Sequence, residues 1–391
     1  MLTGPKKITL ADDALVEEAD ASFNWFYNES NLDRTRAESL VEPISALNEH
    51  VEVNSVKSNA IDETFLKKYQ IFFLTDCFDR IAIEGWNELC RKNDIGMVLV
   101  NVIGGLGSIF VDLGASHRLE DKYLNSKKRQ YYVKNISNGR PGVVDLYPIG
   151  DPPQYAAGDF VSLSGVEGMT QVNGTEARPV RPITDFSFSI EPTTSFAPYT
   201  SGGLVTYEKV PISLRFASFK DNLLKPRLLK AEEGQKGLTQ LELHVALAIY
   251  LELKEEVEQE VCTLADTVMS EEINQSISDV VSTKAYIKKL IAENQLSNTR
   301  VKKLALQLVM MRMDQIPAAV SIMAGLAAFQ LIPFVGKMQP INQLAYYDMF
   351  EDVPVSLTET LGDCLGMEPL YVHLQNYRQV NPQIVDHINC R

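Results

Sequence analysis

The stretch that decides the fold is Gly158–Met169, which reads GDFVSLSGVEGM and alternates apolar with small polar residues between glycines. It is the centre of a longer segment, residues 139–211, that opens with GRPGVV at Gly139–Val144, has a turn signal at Asn173-Gly174 and ends on GGLV at Gly202–Val205 and then KVP. Short alternating runs separated by glycine-containing turns are typical of antiparallel strands. The segment therefore predicts a small all-β module, most simply a compact barrel.

The residues before this module predict a different fold class. Apolar runs at Tyr69–Asp76 and Gly96–Asn101 are separated by a segment with helical spacing, Ala82–Lys92. A shorter strand pattern at Lys7–Asp12 is followed by a helical one at Arg36–Asn48. Strands and helices in alternation indicate a parallel sheet covered by helices. The β module is thus predicted to interrupt an α/β domain.

A glycine-rich run at Gly104–Gly107 follows the second apolar run and has some likeness to a phosphate-binding loop. It leads into strand-like residues up to Gly114, whereas a phosphate loop leads into the N-terminus of a helix. We therefore predict a tight structural turn at these glycines.

From about residue 212 onward the sequence pattern becomes helical. Spacing over Gly237–Val261, Ser282–Ala292 and Val301–Met311 predicts amphipathic helices of a bundle, the first with Lys254 and the two glutamates after it on an outer face. The segment 316–335 is almost wholly apolar, but Pro317 brackets it on one side and Pro333 on the other. The remaining helix of roughly 15 residues would be about 22 Å long, short of the ~30 Å core of a bilayer. We predict a buried helix in an α/β core and no membrane association.

Charge and cysteine usage exclude several classes of function. The net charge of −14 argues against a nucleic-acid partner, because neutralising phosphates requires clustered lysine and arginine. The five cysteines show no CxxC spacing, so neither a metal site nor a disulfide framework is predicted; they are Cys77, Cys90, Cys262, Cys364 and Cys390. Cys77 and Cys90 lie in apolar contexts that favour inert, buried thiols. A reducing compartment, cytoplasmic or nuclear, is expected, since the N-terminus lacks the apolar core of a signal peptide.

The segment from Gly139 to Pro211 closely resembles the first catalytic-cysteine half-domain of ubiquitin-activating enzymes, which is inserted into the inactive one of their two adenylation halves. Three segments of this chain resemble consecutive landmarks of that inactive half: Arg36–Asn48, Phe73–Asp76 and Gly105–Gly114. Further segments that resemble its landmarks follow the predicted bundle in the family's order, up to Leu344–Glu351. The resemblance covers roughly residues 7–355. It is specific because the inserted β module, the helical bundle and the segment that returns to the adenylation half follow one another in the family's order.

The resemblance implies an α/β fold, a Rossmann-like adenylation half of the ThiF/MoeB type, interrupted by a small β-barrel module and a helical bundle. It implies a first part of the inactive adenylation half at 1–138, the β-barrel half-domain at 139–211, the helical bundle at 212–300, the return segment at 301–356 and a divergent tail at 357–391. The family's inactive half also begins with a strand, a glycine-rich turn and a helix before the strand that matches Lys7–Asp12. Without that first strand, the strands at Ile8 and Phe73 would face a gap. A truncated gene model, a strand from a partner chain and a re-closed sheet all remain open as explanations.

The resemblance also implies a division of chemistry. The family binds ATP and Mg in its active half, where an Asn-x-Asn-Arg-Gln segment meets the nucleotide; here Phe23 matches the arginine of that segment and cannot hold phosphate oxygens. No cysteine lies between Cys90 and Cys262, so the module carries no thiol. We therefore predict no catalytic, cofactor-binding or metal-binding residue in this chain alone.

The functional prediction is accordingly a ubiquitin-activating-enzyme-like protein that is an incomplete or pseudo-enzyme subunit, binding ubiquitin, a ubiquitin-like protein or a catalytic partner. Two alternatives stay open: a non-catalytic half of a split activating enzyme with adenylation and thioester chemistry supplied in trans, and a truncated gene model of an ordinary activating enzyme. The candidate ubiquitin contacts are Ser162, Ser164 and Glu167. The candidate interface to a chain with an active adenylation half is formed by Ala318, Phe329, Tyr346 and Tyr347.

Overall fold

The structure is a computed structural model, and it divides the chain into two compact units. The first, here the α/β unit, is formed by segments 1–115, 216–332 and 342–358, and the second, the β unit, has residues 116–215 as its main segment. The described residues are 5–18, 20–119, 130–153, 155, 158–174, 176–226, 240–253, 266–311, 316–331, 334, 343–348 and 356–357.

Two sheets form the strands of the α/β unit. A two-stranded parallel sheet pairs β1 (Lys7–Leu10) with β2 (Glu52–Ser55). A five-stranded sheet has the order β16-β15-β5-β4-β3, in which only β3 and β4 run parallel. Its strands are β3 (Ile71–Thr75), β4 (Gly96–Ile103), β5 (Leu106–Asp112), β15 (Leu344–Asp348) and β16 (Ser356–Leu357).

The predicted gap beside the first strand is present in the described residues. There, β1 pairs only with β2, and β3 pairs only with β4. The hydroxyl oxygens of Thr9 and Tyr69 lie 2.5 Å apart and bring the region of β1 close to the start of β3. All four apolar residues of Ile71–Leu74 remain half-buried, although apolar runs of this kind are typical of strands covered on both faces. A re-closed sheet is therefore not seen in the described part of the chain.

Four of the described helices of the α/β unit begin at a side-chain cap, provided by Thr35, Asp62, Asp79 and Ser218. Asp79 accepts a hydrogen bond from the Ala82 amide and starts the helix that follows β3, and Arg91 and Lys92 lie in its last turn, where cations are favoured. The helices are α1 (Asp20–Phe23), α2 (Arg36–Ser45), α3 (Glu63–Leu66), α4 (Arg80–Lys92), α5 (Phe219–Leu224), α6 (Gln240–Glu252), α7 (Asp266–Thr283), α8 (Ala285–Glu293), α9 (Asn298–Met311) and α10 (Pro317–Phe329).

Two helix predictions need correction. The segment expected to form an amphipathic helix instead forms α6, which is buried on all sides; Val245, Ala248 and Ile249 are completely inaccessible to solvent. Helices α7, α8 and α9 pack around it, which is the environment of a helix that is apolar all round. The proposed outer-face residues from Lys254 lie outside the described residues. Conversely, α10 was expected to be buried, yet only its residues Ala319, Met323 and Ala327 are buried.

The β unit is a seven-stranded antiparallel sheet with the order β10-β9-β13-β7-β8-β12-β11. Its first and last strands in this order, β10 (Arg178–Pro179) and β11 (Arg181–Thr184), are separated along the chain by Val180 alone. The two edges of the sheet therefore meet, and the sheet is a nearly closed barrel. The remaining strands are β7 (Gln130–Ile136), β8 (Gly142–Leu146), β9 (Phe160–Glu167), β12 (Ser187–Ile190) and β13 (Ser201–Glu208).

A separate pair of short strands stands where the chain enters and leaves the β unit. The entering strand β6 (His117–Leu119) pairs antiparallel with the leaving strand β14 (Ile212–Leu214). The hydroxyls of Ser116 and Ser213 lie 2.7 Å apart in the same pair of segments. The β unit thus includes residues on both sides of the 139–211 segment.

Candidate functional site

The three candidate ubiquitin contacts lie on β9, on an open face of the barrel, with Glu167 as the last residue of the strand. Ser162 and Ser164 point away from the core, whereas Val161 and Leu163 between them are fully buried. In the strand register Ser164 lies opposite Leu204 of β13, and Leu204 lies opposite Tyr132 of β7. Tyr132 is 65% exposed. We name Ser162, Ser164, Glu167, Leu204 and Tyr132 the β outer face.

Glu167 joins this face only because the strand alternation changes at a glycine. A regular strand would place residues 162, 164 and 166 outward and 167 inward. Gly165 adopts a positive φ of 68°, and Val166 is then 2% exposed while Glu167 is exposed. On the facing strand Gly203 has a φ of 113°, which L side chains rarely adopt. The two glycines therefore put Glu167 on the same side as the serines.

Hydrogen bonds between β9 and β13 hold the polar groups of the β outer face. Ser162 Oγ donates to Glu208 Oε1 at 2.7 Å, and Ser201 Oγ donates to Glu167 Oε2 at 2.5 Å. The two carboxylates lie at opposite ends of the paired strands, since Glu208 is opposite Phe160 and Ser201 is opposite Glu167. Each carboxylate retains acceptor capacity beyond the hydroxyl it binds. The face is therefore acidic at both ends, with hydroxyl, aliphatic and aromatic groups between.

Sequence reasoning identified the β9 residues of this face and missed Tyr132 and Leu204. The run QYYVKNI at Gln130–Ile136 contains two adjacent tyrosines, and its alternation alone does not say which one faces outward. Tyr131 is half-buried against the barrel core, whereas Tyr132 is exposed. The apolar Val133 that follows is buried, and by alternation it places Tyr131 inward and Tyr132 outward. Val133 was therefore the residue from which the outward position of Tyr132 could have been predicted.

The glycine-rich run at Gly104–Gly107 forms a tight hairpin turn between β4 and β5, which confirms the predicted structural turn. Met311 packs over Gly104, where an added Cβ would lie 2.8 Å from Met311 Cβ. Met323 covers Gly107 still more closely, with its Sδ atom 2.3 Å from where such a Cβ would be. Sulfur-bearing side chains thus fill the space that a phosphate would need. These residues do not fit ATP.

The helix that follows the parallel strand β3 is no better suited to a nucleotide. Helix N-termini attract anions through their free amides and positive dipole. At the start of α4, the Asp79 carboxylate accepts a hydrogen bond from the Ala82 amide at 3.0 Å, so this amide is not free to bind an anion. Asp76, close by in the same loop, adds a second acidic side chain. Two carboxylates disfavour a phosphate here.

The thiol of Cys90 is not activated. Cys90 is 1% exposed, and burial, helped by the neighbouring Asp112 carboxylate, raises the pKa of its thiol to about 12. A thiol with that pKa stays protonated at neutral pH and is a poor nucleophile. The Cys90 environment confirms the inert thiol expected from the sequence. Cys77 is half-buried, and Cys262, Cys364 and Cys390 lie outside the described residues.

The four candidate partner-interface residues fall into different environments. Ala318 and Phe329 both lie on the exposed side of α10, together with Ser321, Ile322 and Gly325. We name these five residues the α10 outer face. Helix α10 has no charged residue, and its Phe329 and Ile322 are 40% and 38% exposed. An uncharged, exposed helix face of this kind is unusual on a protein surface and is typical of an interaction site.

The two tyrosines of β15 do not extend that face in the same way. Tyr346 is 1% exposed, and its hydroxyl lies 2.7 Å from His244 Nδ1 in the core of the α/β unit. Tyr347 is half-buried. Tyr346 is therefore not accessible to a partner in this structure, and the interface proposed below rests on α10.

The described residues provide neither a candidate metal site nor a membrane-spanning helix. They contain no group of three or more histidine, cysteine or acidic residues placed to hold a metal ion. None of the helices described is both long and apolar enough to cross a membrane.

The chain is similar to known proteins along most of its length. The model of the ubiquitin-activating enzyme E1 FCCH domain matches residues 139–209. Ubiquitin-like modifier-activating enzyme 1 of Oryctolagus cuniculus is 27% identical over 95% of this chain and 34% of its own length. Ubiquitin-like modifier-activating enzyme 7 of Mus musculus is 28% identical over 90% of this chain and 35% of its own. The chain thus spans about a third of the length of these curated relatives.

Solved structures give a much weaker likeness. MccB of E. coli, crystallised with succinimide, has a TM-score of 0.25 and 15% identity over 28% of this chain and 34% of its own. A TM-score this low supports no conclusion. The sequence relatives and the E1 FCCH match, which coincides with the barrel, support a member of the ubiquitin-activating enzyme family.

Proposed function

We propose that this chain is a non-catalytic, modifier-binding component of a ubiquitin-activating system. The β outer face receives ubiquitin or a ubiquitin-like protein, and the α10 outer face pairs with a chain or domain that carries an active adenylation site. The observation that carries the proposal is the open face of β9 and β13, which lies within the segment matched to the E1 FCCH domain.

The chemistry of the β outer face favours a partner with basic residues around an apolar patch. Glu167 and Glu208 lie at its two ends, and Tyr132 and Leu204 provide aromatic and aliphatic surface between them. Aromatic side chains are enriched in the centres of interfaces because they bury a large area with few rotatable bonds. Exposed charge pairs contribute about 1 kcal/mol or less each, so we expect weak binding by this face alone.

Adenylation and thioester formation are assigned to residues other than those described here. The glycine turn is filled by Met311 and Met323, Asp79 occupies the start of α4, and the Cys90 thiol is protonated at neutral pH. ATP and Mg would therefore be bound by the catalytic partner and not by the described residues. Cytoplasm and nucleus are the compartments that we propose for this function.

The test is a titration of isotope-labelled ubiquitin with the full chain, followed by chemical-shift changes. We expect binding by the wild type and weaker binding by Ser164→Arg and Tyr132→Ala, which change the centre of the β outer face. Ser195→Arg is the matched control, because Ser195 is an exposed serine in the loop after β12. No shift change with the wild type, or equal losses in Ser164→Arg and Ser195→Arg, contradicts the proposed contact.

A second measurement addresses the absence of catalysis. The full chain, incubated with ATP, Mg and ubiquitin, is expected to show neither ATP–pyrophosphate exchange nor a thiol-reducible ubiquitin adduct. Either activity would falsify the non-catalytic assignment. It would not affect the proposed ubiquitin contact, which the titration tests separately.

A further inference from the structure

A groove of about 650 Å³ lies between α7, α8 and α9 in the helical part of the α/β unit. Its floor is apolar and is formed by Val281, Ile291 and Leu296. Val281 and Ile291 are 8% and 6% exposed, so the floor belongs to the packed core and is preformed. This volume lies in the range of sites that bind small molecules or the side chains of a peptide.

The charged side chains that line the groove are both lysines, Lys288 and Lys302. Lys302 Nζ donates to Ser278 Oγ at 3.1 Å, which holds the ammonium group at the groove wall. Among the residues that the structure describes, no ion pair is formed by Lys288 or Lys302. The chain as a whole has a net charge of −14, whereas the charged side chains of this groove are all positive.

Two acidic residues of the same helices, Asp279 and Glu293, have other partners. Asp279 Oδ1 accepts a hydrogen bond from Gln275 Nε2 at 3.0 Å. Glu293 pairs with Lys289 at 3.6 Å. Neither Asp279 nor Glu293 is among the groove-lining residues. The two lysines of the groove are thus not neutralised by these carboxylates.

In the turn between α8 and α9, backbone carbonyl groups at the end of the groove already accept hydrogen bonds from within the chain. Gln295 adopts a positive φ of 54°, and its amide donates to the Ala292 carbonyl. The Leu296 amide donates to the Ile291 carbonyl, and Asn294 Nδ2 donates to the Leu290 carbonyl. The carbonyl groups of Leu290, Ile291 and Ala292 near the end of α8 are therefore already satisfied. The groove offers a ligand apolar surface and positive charge, together with the neutral polar side chains of Ser282, Gln295 and Asn298.

We propose that this groove binds an acidic, extended segment of a partner protein in which apolar side chains alternate with carboxylates. The apolar side chains enter between Val281, Ile291 and Leu296, and the carboxylates meet the ammonium groups of Lys288 and Lys302. The groove is formed by a different set of residues from the β outer face and the α10 outer face, so the inference is independent of the proposed function.

The test is fluorescence anisotropy of the full chain with a labelled peptide in which Leu and Phe alternate with Glu. The control peptide carries Lys in place of each Glu. We expect the acidic peptide to bind and the basic one not to bind. The Lys288→Gln/Lys302→Gln variant should bind the acidic peptide about tenfold more weakly, since each exposed charge contact contributes about threefold.

The chain offers a control that matches this variant in charge. Lys289 and Lys303 are the immediate neighbours of the two groove lysines, are exposed and do not line the groove. The Lys289→Gln/Lys303→Gln variant should keep wild-type affinity, and thermal melts of both variants check that the bundle remains folded. Equal losses in the two variants, binding of the basic peptide, or displacement of the acidic peptide by an equal concentration of inorganic phosphate overturns the proposal.

Discussion

His244 Nδ1 lies 2.7 Å from the hydroxyl oxygen of Tyr346, and both side chains are buried between α6 and β15. The other ring nitrogen, Nε2, lies 3.1 Å from the Leu223 carbonyl. A carbonyl can only accept, so Nε2 carries the proton and donates, while Nδ1 accepts from the Tyr346 hydroxyl. This arrangement satisfies both ring nitrogens of a neutral imidazole.

The first prediction concerns stability at acidic pH. Burial lowers the pKa of His244 from 6.5 to about 4, although the hydrogen bond to Leu223 opposes the shift. Between these values the unfolded chain binds a proton that the folded chain does not, so the free energy of unfolding falls as the pH is lowered. This stability is fully present above about pH 6.5, and about 3 kcal/mol of it is lost by about pH 4.

Urea unfolding at a series of pH values measures this loss. A His244→Gln variant should lose the part of the pH dependence that His244 provides, whatever its absolute stability. His50→Gln is the matched control because His50 is exposed, and it should retain the wild-type slope. A slope in His244→Gln equal to that of the wild type would show that another group is responsible.

The second prediction concerns a buried carboxylate that joins distant segments. The Asp112 side chain is inaccessible to solvent and accepts from Arg91 Nη1 and Asn87 Nδ2, both at 2.8 Å, and from the Gly114 amide at 2.9 Å. Asp112→Ala leaves the Arg91 guanidinium with the Phe216 carbonyl as its remaining acceptor in the described structure. Because one charge of a buried pair is then unpaired, we expect a loss of about 3 kcal/mol in the free energy of unfolding.

The double variant Asp112→Ala/Arg91→Leu should recover part of that loss, since it removes the unpaired charge. The exposed pair Glu63–Lys92 provides the comparison, with atoms 3.1 Å apart. Glu63→Ala should cost much less than Asp112→Ala, because solvent screens this pair. Equal costs for Asp112→Ala and Glu63→Ala in chemical denaturation would contradict the buried network.

The third prediction separates the two sides of α10. Ile322 lies on the α10 outer face, whereas Met323, the next residue, is 1% exposed and packs over Gly107. Ile322→Asp should change stability by only about 0.5 kcal/mol, while Met323→Asp should unfold the α/β unit by burying an unpaired charge. The association is measured by sedimentation at rising concentration. The Ile322→Asp variant should associate less than the wild-type chain does, either with itself or with a chain that carries an active adenylation half. Wild-type protein that remains monomeric and binds no such chain would rule out an interface at this face.

Much of the fold could be predicted from residue patterns because the cause lies in neighbouring residues. The apolar run at β4 and the glycines after it predicted a strand and a tight turn, and both are present. Ser162 and Ser164 alternate with the buried Val161 and Leu163, so simple alternation accounts for their place on the outside of β9. The phase of Glu167 could not be derived in the same way, because it depends on the backbone conformation of Gly165.

Burial of whole helices was predicted less well, for a physical reason. Apolar composition shows that a helix prefers to be covered, but it does not show what covers it. Helix α6 is enclosed by α7, α8 and α9, so its surfaces are buried on all sides. Helix α10 has no charged residue at all, yet it lacks such neighbours on one side. The α10 outer face therefore appeared only once the packing was known.

The pairing of β6 with β14 has a consequence for the order of events during synthesis. The Gly114 carbonyl accepts from the Phe216 amide at 3.0 Å, so the chain leaves the α/β unit and returns to it at nearly the same point. The intervening residues can complete their barrel while the ribosome is still producing the later helices, since the barrel strands need no partner from the other unit. The contact from the Phe219 amide to Asn87, across 132 positions, forms only afterwards. Such an insert can also be lengthened, shortened or exchanged in evolution without changing the spacing between Gly114 and Phe216.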